Sequence, residues 1–263
     1  MTKSILLSIQ SGMAAILCLS FLSSYAVQFT FSEAINVAGR QRTLTQRITK
    51  SYLQIGLGAS VNQSRKQLKD AVDLFESQHA QLKAFSRSDV VTDALSAIEP
   101  TWSEFKSAAL AEPEKKTAMR LAALDEQLLE MCESVVYLIE DVAGGGYARL
   151  VNTAGRQRML SQRMAKFYML AASGLATPSM MAKLDRAGNE FLGALRTLTT
   201  APENSIGISE KLDEVQEQWV WMDSSLSFQQ DAYYPLIVNN ASEKILNLMD
   251  SITEMYARLD FSQ

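Results

Sequence analysis

An all-α fold of two tandem antiparallel four-helix bundles, related by internal duplication, is predicted by three observations. First, residues 36–53, NVAGRQRTLTQRITKSYL, return at 152–169 as NTAGRQRMLSQRMAKFYM, identical at eleven of eighteen positions at an offset of 116. Second, the echo runs through both halves. Phe75 answers Phe191, Trp102 answers Trp219, and the stripe Leu128, Met131, Val135, Leu138, Val142 repeats at an offset of 117 as Ile245, Leu248, Ile252, Met255, Leu259. Third, apolar residues recur at helical spacing, glycine and proline fall at a few punctuating places, and strand-like alternation is missing. A repeat this long is a domain duplication and not a solenoid. It divides the chain into a leader at 1–26, a first bundle at 27–145 and a second at 146–263.

The leader has Lys3, then an apolar stretch through Leu22, then Ser24-Tyr25-Ala26 as a small-x-small cleavage site. Cleavage after Ala26 is the first reading, giving an exported protein. The alternative is an uncleaved anchor at 4–26, since Val27, Phe29 and Phe31 extend the apolar character to almost a membrane span. Leu17 directly before Cys18 argues against a lipoprotein site.

Four helices are predicted per unit, at about 28–58, 62–86, 90–110 and 115–143, then 147–174, 178–200, 206–230 and 234–260. Gly144-Gly145-Gly146 separates the units, Thr177-Pro178-Ser179 starts a helix, and Ala201-Pro202-Glu203-Asn204 turns between two. Short connections between amphipathic helices favour antiparallel bundles.

The repeated helix has two faces at 100° per residue. Val37, Leu44, Ile48 and Ile55 form the core stripe of a bundle. Almost opposite lie Ile35, Gly39, Arg42, Gln46, Thr49 and Leu53, a mixed face that fits a second interface. Gly39 has no side chain, so another helix can approach closely beside it. Arg40 and Arg47 point elsewhere, near Asn36, Thr43 and Lys50, and are expected to be solvated or paired with carboxylates.

If the units pack through this second face, Arg42 meets its equivalent Arg158, with Gly39, Gly155, Gln46 and Gln162 around them. Two guanidinium groups repel, and an anion between them reverses the sign, because each planar fork donates two hydrogen bonds to a flat oxyanion. At an effective dielectric near 20, a unit charge about 4 Å from each arginine gains roughly 4 kcal/mol per contact before desolvation. Arg40, Arg47, Arg156 and Arg163 are secondary candidates, for which surface ion pairing is the plainer explanation.

Composition limits the remaining choices. The net charge is −4, with 25 basic and 29 acidic residues, so nothing suggests a nucleic-acid partner. With one histidine and, after leader removal, one cysteine, a nitrogen or sulfur metal site is disfavoured. His79 is expected in a solvated helix position, Cys132 as an inert core thiol, and Trp102 and Trp219 as core anchors. No nucleophile–base constellation, phosphate loop, heme or flavin is indicated, so neither an enzyme nor a cofactor is expected.

The segments Ala38-Gly39-Arg40-Gln41-Arg42-Thr43-Leu44-Thr45-Gln46-Arg47 and Ala154-Gly155-Arg156-Gln157-Arg158-Met159-Leu160-Ser161-Gln162-Arg163 resemble the signature helix of the PilJ-type domain. That domain is the N-terminal sensory module of type IV pilus methyl-accepting chemotaxis transducers. The same helix is similar to the periplasmic signature of NarX-type nitrate/nitrite sensor kinases, Asn-x-Ala-Gly-x-x-Arg-Met-x-Ser-x-Arg. The second copy fits throughout, while Thr43 and Thr45 replace the methionine and serine in the first. The resemblance implies a periplasmic helical sensor bundle in which Arg42 and Arg158 hold an anion, nitrate or nitrite foremost. The sequence ends at Gln263 without a kinase or methyl-accepting region, so signalling is expected to pass to a membrane sensor or transporter. The alternative is a ligand-free interaction module that docks on a receptor or forms a homodimer.

Overall fold

The computed structural model describes residues 29–86, 88–143, 146–227 and 234–259; the expected leader lies outside them. Eight helices follow one another: α1 Phe31–Gly56, α2 Val61–Phe85, α3 Asp89–Ala109, α4 Lys115–Ala143, α5 Gly146–Ala172, α6 Pro178–Thr199, α7 Ile206–Ser227 and α8 Pro235–Leu259. They pack as two up-down bundles, α1–α4 and α5–α8, without a strand among the described residues. No described helix is long and apolar enough to cross a membrane.

Local chemistry fixes several ends. Thr30 caps α1 in a capping box, its hydroxyl accepting from Glu33 N while the Glu33 carboxylate accepts from Thr30 N. This explains a start three residues later than the periodicity suggested. Thr177 caps α6, with Pro178 at the first helical position where its missing N–H costs nothing. The glycine run between the units is shorter as a linker than expected, because α5 begins on Gly146.

Each unit buries an aromatic pair at the same place: Phe75 stacks on Trp102 with ring centroids 3.7 Å apart, and Phe191 on Trp219 at 4.8 Å. Tyr52 and Tyr168, equivalent residues near the ends of α1 and α5, tie down the segments before α4 and α8. Tyr52 donates to Glu112 O and accepts from Glu114 N, and the Tyr168 hydroxyl accepts from Tyr234 N. Cys132 is buried, and burial pushes its thiol up to about 12. His79 departs from expectation: its side chain is 12% exposed, stacked on Phe75, and burial lowers its pKa. Trp221, by contrast, is largely exposed.

The units join chiefly through α1 and α5. Along α1 from Arg40 to Lys50, ion-pair partners on α8 run backwards from Asp250 to Glu243. Along α5 from Arg158 to Gln162, partners on α8 likewise run from Asp250 to Ser242. Both helices are thus antiparallel to α8 and parallel to each other, so the pseudo-two-fold axis runs along the bundle between them.

Candidate functional site

The mixed face of α1 is this joint. Ile35, Arg42, Gln46, Thr49 and Leu53 are all at most 3% exposed, and the equivalent face of α5 lies against them. A Cβ on Gly39 would stand 3.1 Å from Arg42 Nη2 and 3.6 Å from Arg158 Nη2. One on Gly155 would stand 3.0 Å from Arg158 Nη2 and 3.8 Å from Arg42 Nη2. The two glycines therefore leave the space into which both guanidinium groups converge, from opposite sides of the axis.

Neither guanidinium is bare. Arg42 donates to Glu133 at 2.6 Å, to Asn152 Oδ1 at 2.9 Å and to Gly39 O at 3.5 Å. Arg158 donates to Asp250, to Asn36 O at 3.2 Å and to Gly155 O at 3.5 Å. Both residues have no exposed surface, and burial lowers the pKa of Arg158 to about 10, still far above neutrality. A guanidinium has five N–H donors, so these contacts leave two on each arginine.

The secondary arginines cross the joint. Arg40 on α1 pairs with Asp250 and Glu254 of α8, and Arg47 with Glu243 of α8. Reciprocally, Arg156 on α5 pairs with Glu133 of α4 and Glu190 of α6, and Arg163 with Glu126 of α4. Of the two expectations for this set, pairing with carboxylates is what the structure contains. The solvated one fails for their neighbours, since Asn36, Thr43 and Lys50 are buried. Lys50 and Lys166 complete the network, to Glu243 at 2.6 Å and to Asp125 and Glu126 at 2.6 and 2.8 Å.

The glutamines are not near the arginine convergence alone. Gln46 donates to Asp125 at 2.6 Å, and Gln162 to Ser242 O at 3.0 Å, one turn further along. Gln41 and Gln157 hold the outer helices, donating to Phe75 O and Phe191 O.

Sequence reasoning missed the carboxylates that build this seam, although a signal existed. Glu126 and Glu243, and Glu133 and Asp250, recur at the same offset of 117 as the apolar stripe of α4 and α8. For Glu126 and Glu243, burial alone would raise the pKa; the adjoining lysine and arginine outweigh it and hold each at about 2. Asp125 goes the other way, raised by burial despite Lys166.

Two duplicated helical bundles, joined by a charged and fully packed helix pair, define the class; among the described residues no group of histidine, cysteine or carboxylate side chains is placed to hold a metal ion. Residues 29–125 and 145–242 each match the PilJ family, described as the N-terminal region of type IV pili methyl-accepting chemotaxis transducers. The chain belongs to that family and carries its domain twice, which makes it a sensory or signalling module. Comparisons with curated proteins and with solved structures return no match.

Proposed function

We propose that this protein is an exported, periplasmic sensory module that binds a small planar oxyanion, nitrate or nitrite foremost, between Arg42 and Arg158, and signals through a membrane sensor or transporter. The observation that carries the reading is a local shortage of negative charge. Four guanidinium groups close to the axis share two half-buried carboxylates, Arg42 and Arg156 on Glu133, Arg40 and Arg158 on Asp250. The other carboxylates reached, Glu190 and Glu254, pair with the peripheral Arg156 and Arg40 and not with Arg42 or Arg158. An oxyanion accepting from the remaining Nη2 donors supplies the missing charge.

With both arginines sealed from solvent, the anion reaches them only when α1 and α5 shift. Binding and helix displacement are then one equilibrium, moved by the differential affinity of the anion for the opened and closed seams. That coupling is what a sensor requires.

A second reading, a ligand-free module that docks on a receptor or another copy, is favoured by the fact that each axial arginine already has a carboxylate partner. Thermal melting of the purified protein in nitrate, nitrite, chloride and sulfate at matched ionic strength separates the two. The oxyanion reading expects a rise in Tm specific to nitrate or nitrite, lost in both Arg42→Lys and Arg158→Lys, because a ligand bound only by the folded state raises its stability. Equal melting in all four salts would overturn it in favour of docking.

A further inference from the structure

The two units keep the glycines, arginines and lysines of the seam helices but have diverged on their outer faces. An open cleft of about 400 Å³ lies in the first unit between α2 and α3, and one of about 500 Å³ lies in the second between α6 and α7. They are the same cleft by descent. Arg65, Lys69, Val72 and Lys106 line the first, and their equivalents Met181, Asp185, Gly188 and Asp223 line the second.

Each of those replacements changes the chemistry in one direction. Val72, fully packed in the first unit, becomes Gly188, where a Cβ would stand 3.5 Å from Trp219 Cη2 and 3.8 Å from Met164 Sδ. The missing side chain opens the cleft down to an indole and a thioether, both of which line it. The first cleft is instead rimmed by cations held in ion pairs, Lys69 with Asp73, Lys106 with Glu76 and Arg65 with Glu112. In the second, Lys69 and Lys106 have become the carboxylates Asp185 and Asp223, and Arg65 the apolar Met181. Glu76, which accepts from the Trp102 indole N–H at 3.4 Å, has become Leu192.

We propose that the cleft between α6 and α7 is a second binding site, for a small organic cation with an aromatic or aliphatic body, and that its counterpart in the first unit has lost or never had this capacity. The apolar body fills the space above Gly188 against Trp219 and Met164, and the ammonium group reaches the carboxylate rim headed by Asp185. The volume lies within the range of small-molecule sites. The Asp185 carboxylate at the rim favours a cation over a neutral isostere and rejects an anion. This site is independent of the arginine seam.

Isothermal titration of the full chain with phenethylamine, 2-phenylethanol and 3-phenylpropionate at neutral pH tests it, since the three share a body and differ in charge. The expected result is saturable binding of phenethylamine at one site, weaker binding of the alcohol and none of the carboxylate. Gly188→Val, which restores the first unit's residue, should weaken phenethylamine by about tenfold or more. Gly188→Ala, whose Cβ meets only ordinary contacts, serves if the valine variant folds poorly. Asp185→Asn should narrow the gap between amine and alcohol while leaving the fold intact by circular dichroism. Equal binding of all three probes, no saturable binding of phenethylamine, or an unchanged affinity in both Gly188 variants would overturn the proposal. The nitrate response of the melting temperature should survive Gly188→Val, so the two sites fail separately.

Discussion

The two ends of the charged seam differ at two facing positions: α4 places Asp125 where α8 places Ser242, and α6 places Lys183, paired with Glu126, where α2 places Gln67, bound to Glu243. Lys166 therefore has two carboxylates, Asp125 and Glu126, whereas its equivalent Lys50 has one, Glu243, with the Ser242 hydroxyl at 3.4 Å. Both ammonium groups have no exposed surface, and burial lowers the pKa of Lys50. A single, well-shared carboxylate thus suffices for a buried lysine when an arginine and a glutamine, Arg47 and Gln67, complete the hydrogen bonding of that carboxylate. The second carboxylate of the other half brings in a group that burial opposes. Neither arrangement is by itself evidence of added stability, because desolvating both partners consumes most of the Coulombic gain.

Acid should expose this difference most strongly. Glu126 and Glu243 are both depressed from 4.5 to about 2, so each contributes stability that is complete above the unfolded value and lost as pH falls through the folded one. The loss is roughly 3 kcal/mol apiece, at 1.36 kcal/mol per pKa unit. Asp125 has the opposite sign: its raised pKa weakens the folded state once the carboxyl ionises and relieves it as pH falls. Urea unfolding across this acid range should therefore show a steep decline in stability. Glu243→Gln should flatten it by about 3 kcal/mol, and Asp125→Asn should steepen it. An unchanged profile in Glu243→Gln would mean that the carboxylate is not held as the geometry implies.

Removing the differing residues directly comes next in size. Asp125→Ala leaves the buried Lys166 with Glu126 alone and takes the acceptor from Gln46, which should cost about 2–3 kcal/mol in denaturant unfolding. Ser242→Ala removes a hydroxyl that donates within its own helix and sits at the limit of hydrogen bonding from Lys50, and should cost about 1 kcal/mol. Equal costs would break the comparison and show that the two lysines draw on their surroundings alike.

Much of this was readable in the chain, for definable reasons. A helix that uses two faces must keep two registers at once, which is why Ile35, Gly39, Arg42 and Gln46 stood out against Val37, Leu44 and Ile48, and why the joint follows from the repeat. The helix ends were close where Pro178 and the turn after Thr199 carry local signals, whereas the cap at Thr30 moved the start of α1. What did not follow was the pairing of Arg40 and Arg47 with α8 and of Arg156 and Arg163 with α4. Charge partners on different helices depend on how the bundles sit together, and helical periodicity within one segment carries no such information. The burial of His79 was missed as well: its chain neighbours Glu76, Ser77 and Gln78 are polar, whereas its ring stacks on Phe75 one turn back on α2 and its Nε2 lies 3.8 Å from Glu99 of α3.

The smallest expected effect bears on the axis itself, where the halves are most alike. A methyl group on Gly39 or Gly155 would stand 3.1 and 3.0 Å from a guanidinium nitrogen, close enough that the arginine terminus must give by a few tenths of an ångström. Alanine also raises helix propensity by about 1 kcal/mol over glycine. Because the obstructing atom is the far end of a long side chain, the two effects should nearly cancel in Gly39→Ala and Gly155→Ala, each leaving the unfolding free energy within about 1 kcal/mol of the parent. The anion response should not be spared, because the displaced Nη2 groups are the donors that would bridge the ligand. If the two variants differ sharply in stability, the pseudo-two-fold does not pass between these glycines as described. If both retain the nitrate-dependent rise in Tm in full, any anion bound by the protein sits elsewhere.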